Sequence, residues 1–196
     1  MTKQSTKVRI LEHAGRLVRL KGFNHTGIQE ILESAGVPKG SFYFYFKSKD
    51  DLGLELINYY AELLGQKANS LFDSAEGPPL VKLLKFFQGM RTLFEQDEWR
   101  SGCPIGNLSQ EMSLLNDTFR SNLQRVFMTI QCRIKDYIEQ GRARGHIDPH
   151  LDPDDLAQFI LDSWEGALLR MKVEQSTQPL LIFEKMIFSH ILPPIS

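Results

Sequence analysis

Cysteine is almost missing from this chain: 196 residues carry only Cys103 and Cys132. Two such residues, far apart, make neither a secreted disulfide framework nor a close-spaced metal pair. Nowhere does an apolar run approach the roughly 20 residues that a membrane helix needs, and the polar N-terminus does not read as a signal peptide. These absences lead to the expectation of a reduced, cytoplasmic protein with no membrane contact. Strand patterning is missing too, since no stretch alternates apolar and polar residues as a half-buried strand does. Catalytic constellations are equally scarce. His13, His25, His146, His150 and His190 are scattered, and no Ser-His-Asp order or carboxylate pair stands out. An enzyme is therefore not expected, and no cofactor is implied. "GHIDPHLDPDD" places His146, Asp148, His150 and Asp152 at alternate positions, yet a turn followed by a capped helix explains it better than a metal loop.

What is present is charge asymmetry and helical periodicity. Residues 1–50 hold nine Lys or Arg against four Asp or Glu, a balance of +5, although the whole chain carries −1. The basic end is the candidate footprint for a polyanion. Val8, Leu11, Ala14 and Val18 recur near helical spacing over 3–20, and Gly22 ends that helix. Thr26 with Gln29 reads as a capping box opening a short helix that carries Ile28, Ile31 and Leu32. "SAGVPKGS" breaks it, and a second short helix runs through "KGSFYFY". Three short helices with this compact turn form a helix-turn-helix. Ser48 with Asp51 caps a long fourth helix, and Pro79 suits the start of the next. "RSGCPIGNL" reads as a bend followed by a short helix. Apolar residues at steps of three or four predict a helix over 115–140, and "EQGRARGHIDPH" reads as a loop. Asp152, Pro153 and Asp155 are placed as N-cap, first-turn proline and third-position acid of the next helix, and a last helix covers 178–191. The expected fold is all-α: a three-helix helix-turn-helix head over 1–48, the candidate DNA-binding domain, joined to a larger helical domain over 49–196.

The stretch "KGSFYFYFKSKDDL" holds five aromatics in a row, bracketed by lysines. Phe42 and Phe46, four apart, share a helix face and are expected in the core. Tyr43 and Tyr45 point elsewhere and can reach phosphate oxygens, a positioning contact without a base code. Lys49 can pair with a phosphate at the start of the next helix. Lys39, Gly40 and Ser41 open the recognition helix, whose first residues meet base edges; lysine there favours guanine O6 or N7. Phe44 either grazes the DNA backbone or packs on the first helix.

Residues 21–52, "KGFNHTGIQEILESAGVPKGSFYFYFKSKDDL", resemble the DNA-binding segment of the TetR/AcrR family of transcriptional repressors. The likeness rests on Gly22-Phe23, Thr26, Ile31, Ala35-Gly36-Val37, Gly40, Phe42-Tyr43, Tyr45-Phe46 and Ser48-Lys49. It implies DNA contacts from Thr26, Gln29, Lys39, Gly40, Ser41, Tyr43, Tyr45 and Lys49, with Gln29 and residues 39–41 reading bases. Many members have Thr where Gly27 stands, so one backbone contact is absent. The resemblance also implies a homodimer on a double-stranded operator with an inverted repeat, released by a small-molecule effector.

A narrower resemblance lies at "SGCPIGNLSQEM", which is similar to a subgroup responding to electrophiles and reactive chlorine, where the cysteine matching Cys103 can serve as the sensor. Cys103 precedes a short helix, a position that favours a thiolate, and Lys172 is a possible cationic neighbour. The first expectation for the effector is nevertheless a reversible apolar or aromatic ligand held by Met90, Phe94, Phe127, Met128, Trp164 and Leu168. Dimerisation is expected through the last two helices, with Phe159, Trp164, Phe183 and Ile187 on the interface. Two other readings stand beside this one: a thiol-based sensor repressor acting through Cys103, and a helical interaction protein that binds an acidic partner rather than DNA.

Overall fold

The computed structural model describes residues 3–98 and 102–192, with side chains from residue 6 onward. Among these residues there is no strand. The helices are α1 (Lys3–Lys21), α2 (Ile28–Ala35), a 3-10 turn (Lys39–Ser41) running into α3 (Phe42–Tyr45), α4 (Lys49–Ser74), α5 (Pro79–Gln96), α6 (Pro104–Met112), α7 (Asp117–Ala143), α8 (Pro153–Glu174) and α9 (Gln178–Met186), which ends in a π turn over Ile187–Ile191.

Local chemistry accounts for most boundaries. Gly36 adopts φ +61°, and the Gly36 and Val37 N–H groups donate to the Glu33 and Leu32 carbonyls, a Schellman end that stops α2 inside "SAGVPKGS". Ser48 accepts from the Asp51 N–H at 3.0 Å, while the Asp51 carboxylate reaches the Lys47 N–H at 2.8 Å, one residue earlier than a strict capping box. Asp152 Oδ1 accepts from the Asp154 and Asp155 N–H groups, with Pro153 in the first turn of α8.

Three expectations shift. Thr26 does not cap α2: Gly27 holds the N-cap position without a side-chain bond, and Gln29 pairs with Glu33 instead. Val8 is exposed, and Ile10 takes the buried place beside Leu11, Ala14 and Val18. The loop expected at "EQGRARGHIDPH" starts late because α7 continues to Ala143. Gly141 lies within it, so close to Leu80 that a Cβ would meet Cδ2 and Cγ at 3.0 Å, and Gly145 at φ +75° closes the helix.

The chain forms two compact units, 1–64 with 104–124, and 65–103 with 125–196. The first unit buries α1–α3 on α4, α6 and the start of α7. Phe42 and Phe46 sit at its centre, as their spacing requires, with Ile10, Ile31, Leu52, Leu56, Ile105 and Phe119. Helices α1 and α4 approach closely at Gly15, whose carbonyl accepts from the Tyr60 hydroxyl at 2.7 Å; burial pushes that phenol's pKa up. The second unit is built around Phe87, whose ring lies 4.9 Å from Trp164, 5.0 Å from Phe183 and 5.9 Å from Phe188. Edge and tilted contacts of this kind suit the ring quadrupoles.

Candidate DNA-reading head and effector residues

Burial of Phe42 and Phe46 decides what else the recognition segment can show. With those two rings inward, the intervening residues turn out: Tyr43 is 68% exposed and Phe44 60%. The Phe44 ring stands edge-on to Tyr45 at 4.9 Å. Lys39 and Gly40 are exposed, Ser41 and Tyr45 half-buried. Nothing lies within 4 Å of a Cβ built on Gly40, so packing within the protein does not require glycine there. The 3-10 geometry of Lys39–Ser41 tightens the first turn of this segment.

Two expected DNA contacts look different in the fold. Thr26 is 1% exposed, its hydroxyl donating to the Gly22 carbonyl at 2.7 Å and its N–H to the Phe23 carbonyl at 3.2 Å. Both groups build the α1–α2 turn, so Thr26 is a structural residue and not a DNA-facing one. Lys49 donates to the Asn24 carbonyl at 3.1 Å and sits 4.9 Å over the Phe23 ring, leaving part of its three-proton donor capacity for a phosphate. Gln29 is exposed at the start of α2 and bonds Glu33 at 2.8 Å.

In the second unit the expected effector residues divide. Met90, Phe94, Cys103, Trp164 and Leu168 are buried, Phe127 and Lys172 half-buried, but Met128 is 56% exposed. The dimer expectation also needs correction. Trp164, Phe183 and Ile187 are buried within the protomer, where the Trp164 and Phe183 rings meet at 5.2 Å. Of the four named, only Phe159 is exposed, and it shares α8 and α9 with exposed Leu169, Val173, Leu181, Ile182 and Met186.

Two carboxylates escaped the sequence reading. Glu165 bonds to Cys103, and burial pushes its pKa up against the opposing pull of that bond and of Lys172. Gly102 admits the Lys172 side chain: a Cβ there would meet its Cε at 3.2 Å and Nζ at 3.4 Å. The signal was available, because Glu165 and Lys172 are seven apart on α8, two turns on one face. Glu184, buried on apolar α9, accepts from Arg91 Nε at 2.8 Å, and Arg91 also reaches Glu95 at 2.9 Å. Burial raises the Glu184 pKa, with Arg91 opposing. Among the described residues, no group of three or more His, Cys, Asp or Glu side chains could hold a metal ion, and no helix is long and apolar enough to cross a membrane.

Residues 10–56 match the family profile described as "Bacterial regulatory proteins, tetR family", and residues 79–187 match "Tetracyclin repressor-like, C-terminal domain". The chain is 38% identical over 172 residues to the transcriptional regulator AcuR of Cereibacter sphaeroides, an alignment covering 88% of this chain and 78% of AcuR. It is 34% identical to the HTH-type transcriptional repressor DhaR of a Mycobacterium species, over 98% of this chain and 96% of DhaR. The crystal structure of the reduced form of Escherichia coli NemR superposes with a TM-score of 0.85 at 29% identity, over 97% of this chain and all of that one.

Proposed function

Since the chain belongs to the TetR/AcrR family of transcriptional repressors, we propose that it reads its operator through Gln29, Lys39, Gly40, Ser41, Tyr43, Tyr45 and Lys49. The protein is a DNA-binding transcription factor and not an enzyme; it acts as a homodimer on operator DNA and answers to a small-molecule effector. The DNA-binding domain spans 1–48 and the ligand-binding and dimerisation domain 49–196, in a cytoplasmic protein. The observation that carries this reading is the outward turn of Tyr43 beside exposed Lys39 and Gly40, while Phe42 and Phe46 are buried. Lys39 and Ser41 read base edges; Tyr43, Tyr45 and Lys49 hold phosphates and set the register. Lys39→Ala is expected to weaken binding to the preferred operator by about 1–3 kcal/mol and to relax base preference at one position of each half-site. Titration against a panel of single-base operator variants checks it; a uniform loss on every duplex would make Lys39 a positioning contact instead.

The dimer face is the apolar surface of α8 and α9 bearing Phe159, Leu169, Val173, Leu181, Ile182 and Met186, all exposed in the protomer. A patch of this kind is what a permanent partner covers. Ile182→Asp puts a charge in that interface and is expected to yield monomers, with operator affinity falling at least about a hundredfold as paired half-sites are lost. Sedimentation at micromolar concentration, beside operator titration, tests it; an intact dimer would move the interface elsewhere.

The effector is a small apolar or aromatic molecule taken up within 49–196. A second reading, thiol sensing, is favoured by one specific observation: Cys103 is bonded to Glu165, and Lys172 lies against Gly102. The relative NemR, crystallised in a named reduced form, supports it.

A further inference from the structure

The turn between α1 and α2 leaves two of its backbone donors unmet from within. Its Gly22 N–H donates to Val18 and its Thr26 groups bond to Gly22 and Phe23, but the Phe23 and Asn24 N–H groups have no acceptor within the turn. They donate to Oε1 and Oε2 of Glu111, each at 3.2 Å, across 88 and 87 residues of chain. Glu111 belongs to α6, in the same compact unit as the head. One carboxylate thus satisfies two adjacent backbone donors, the arrangement in which paired N–H groups grip an anion.

Glycine at position 22 makes this grip feasible. A Cβ there would lie 2.8 and 2.9 Å from the two carboxylate oxygens, and the backbone is at φ +86°, where glycine alone is unstrained. The neighbouring contacts reinforce the same turn. Phe23 packs on Phe119 of α7 at 5.6 Å between ring centroids, and Lys49 of α4 holds the Asn24 carbonyl. Through Thr26 and Gly27 the turn leads directly into α2, the first helix of the helix-turn-helix.

We propose that Glu111 is a positioning residue for DNA reading: its carboxylate clasps the α1–α2 turn, so the placement of α6 and the pose of the helix-turn-helix are one variable. Whatever repositions α6 moves the head, and DNA that fixes the head fixes α6. The linkage is reciprocal by thermodynamic necessity. It rests on residues 39–45 being the DNA-reading segment, and the test separates the two claims.

Hydrogen exchange is measured on the full-length dimer, free and saturated with an inverted-repeat duplex that the protein itself has recovered from sheared genomic DNA. In the wild type, the duplex should slow exchange at residues 39–45, and should slow it about tenfold across the α6 amides at 104–112, a mid-range allosteric coupling. In Glu111→Ala, the Phe23 and Asn24 amides should exchange faster without DNA, and the α6 response should vanish while 39–45 are still protected. Glu111→Gln keeps one oxygen acceptor and should give an intermediate α6 response, which covers the case in which the alanine variant folds poorly. A purely structural Glu111 would lower the melting temperature yet leave the α6 response at its wild-type size, and that result overturns the proposal. So does a wild-type α6 that ignores the duplex while 39–45 are protected. Failure of protection at 39–45 overturns the reading of the head, and the clasp's role in it falls as well.

Discussion

Substituting Gly53 with alanine is expected to lower the melting temperature by about 4–8 °C and to weaken operator binding about tenfold. Two effects compete at this position. Alanine is worth about 1 kcal/mol over glycine within a helix, and Gly53 lies inside α4. Against that gain, a Cβ would stand 2.4 Å from Phe119 Cζ and 2.7 Å from Phe23 Cζ. Both rings are essentially buried and touch one another, so neither can swing away cheaply. Overpacking of this kind costs about 1–3 kcal/mol and occasionally more, and two buried rings put it at the upper end. The net loss, about 2 kcal/mol, corresponds to the stated shift for a chain of this size. Operator binding suffers with it because the displaced Phe23 ring carries the turn and the Lys49 ammonium. Gly65 on the same helix supplies the control: nothing lies within 4 Å of its Cβ position, so Gly65→Ala should gain stability, by up to about 1 kcal/mol. Calorimetry at equal protomer concentration reads both. Equal shifts in the two variants would mean that helix propensity alone governs α4.

The contrast between those two glycines shows what can be read from a sequence. Both look alike in the string; only the neighbours differ, and the neighbours come from helices far along the chain. Signals confined to one turn were legible. The Asp152-Pro153 start of α8, the Gly36 stop of α2 and the inward pairing of Phe42 with Phe46 need no more than residues within five positions. Glu111 was not legible, because its acceptor role depends on backbone N–H groups nearly ninety residues away. Thr26 misled for a related reason: a threonine three places before Gln29 fits a cap, but its hydroxyl found the Gly22 carbonyl first. Of the expected interface residues, Phe159 stands exposed, while Trp164, Phe183 and Ile187 turned inward because the sequence is ambiguous there. Helix α9, "QPLLIFEKM", is apolar on more than one face. Periodicity says that such a helix is covered on both sides, without saying which side the protomer covers. Phe183 and Ile187 went inward, Ile182 and Met186 outward.

Cys103→Ser is expected to leave operator affinity unchanged while abolishing release by N-ethylmaleimide, if the thiol is the trigger. The neighbours of Cys103 make the rate of modification predictable in sign. Thiolate is the reacting form, a nearby carboxylate disfavours it and an ammonium favours it. Glu165→Gln should therefore speed alkylation of Cys103 several-fold, and Lys172→Met should slow it by a similar factor, both read by mass spectrometry of the Cys103 peptide, since Cys132 is a second free thiol and is exposed. Stability separates this from a general loosening of the fold. Glu165 has its pKa raised by burial from the ordinary 4.5, with Cys103 and Lys172 opposing. A raised carboxyl contributes its full stabilisation below the unfolded value of 4.5 and loses it as pH climbs through the folded value. Glutamine keeps an oxygen for the thiol to donate to and carries no charge to desolvate. Glu165→Gln should thus melt higher than wild type at neutral pH, with a flatter melting profile on the alkaline side of the ordinary carboxyl range. Faster alkylation in a more stable protein can come only from the altered charge beside the thiol. Faster alkylation with a lower melting temperature would instead mean that Cys103 had simply been uncovered, and wild-type release persisting in Cys103→Ser would remove Cys103 as the trigger and turn attention to exposed Cys132.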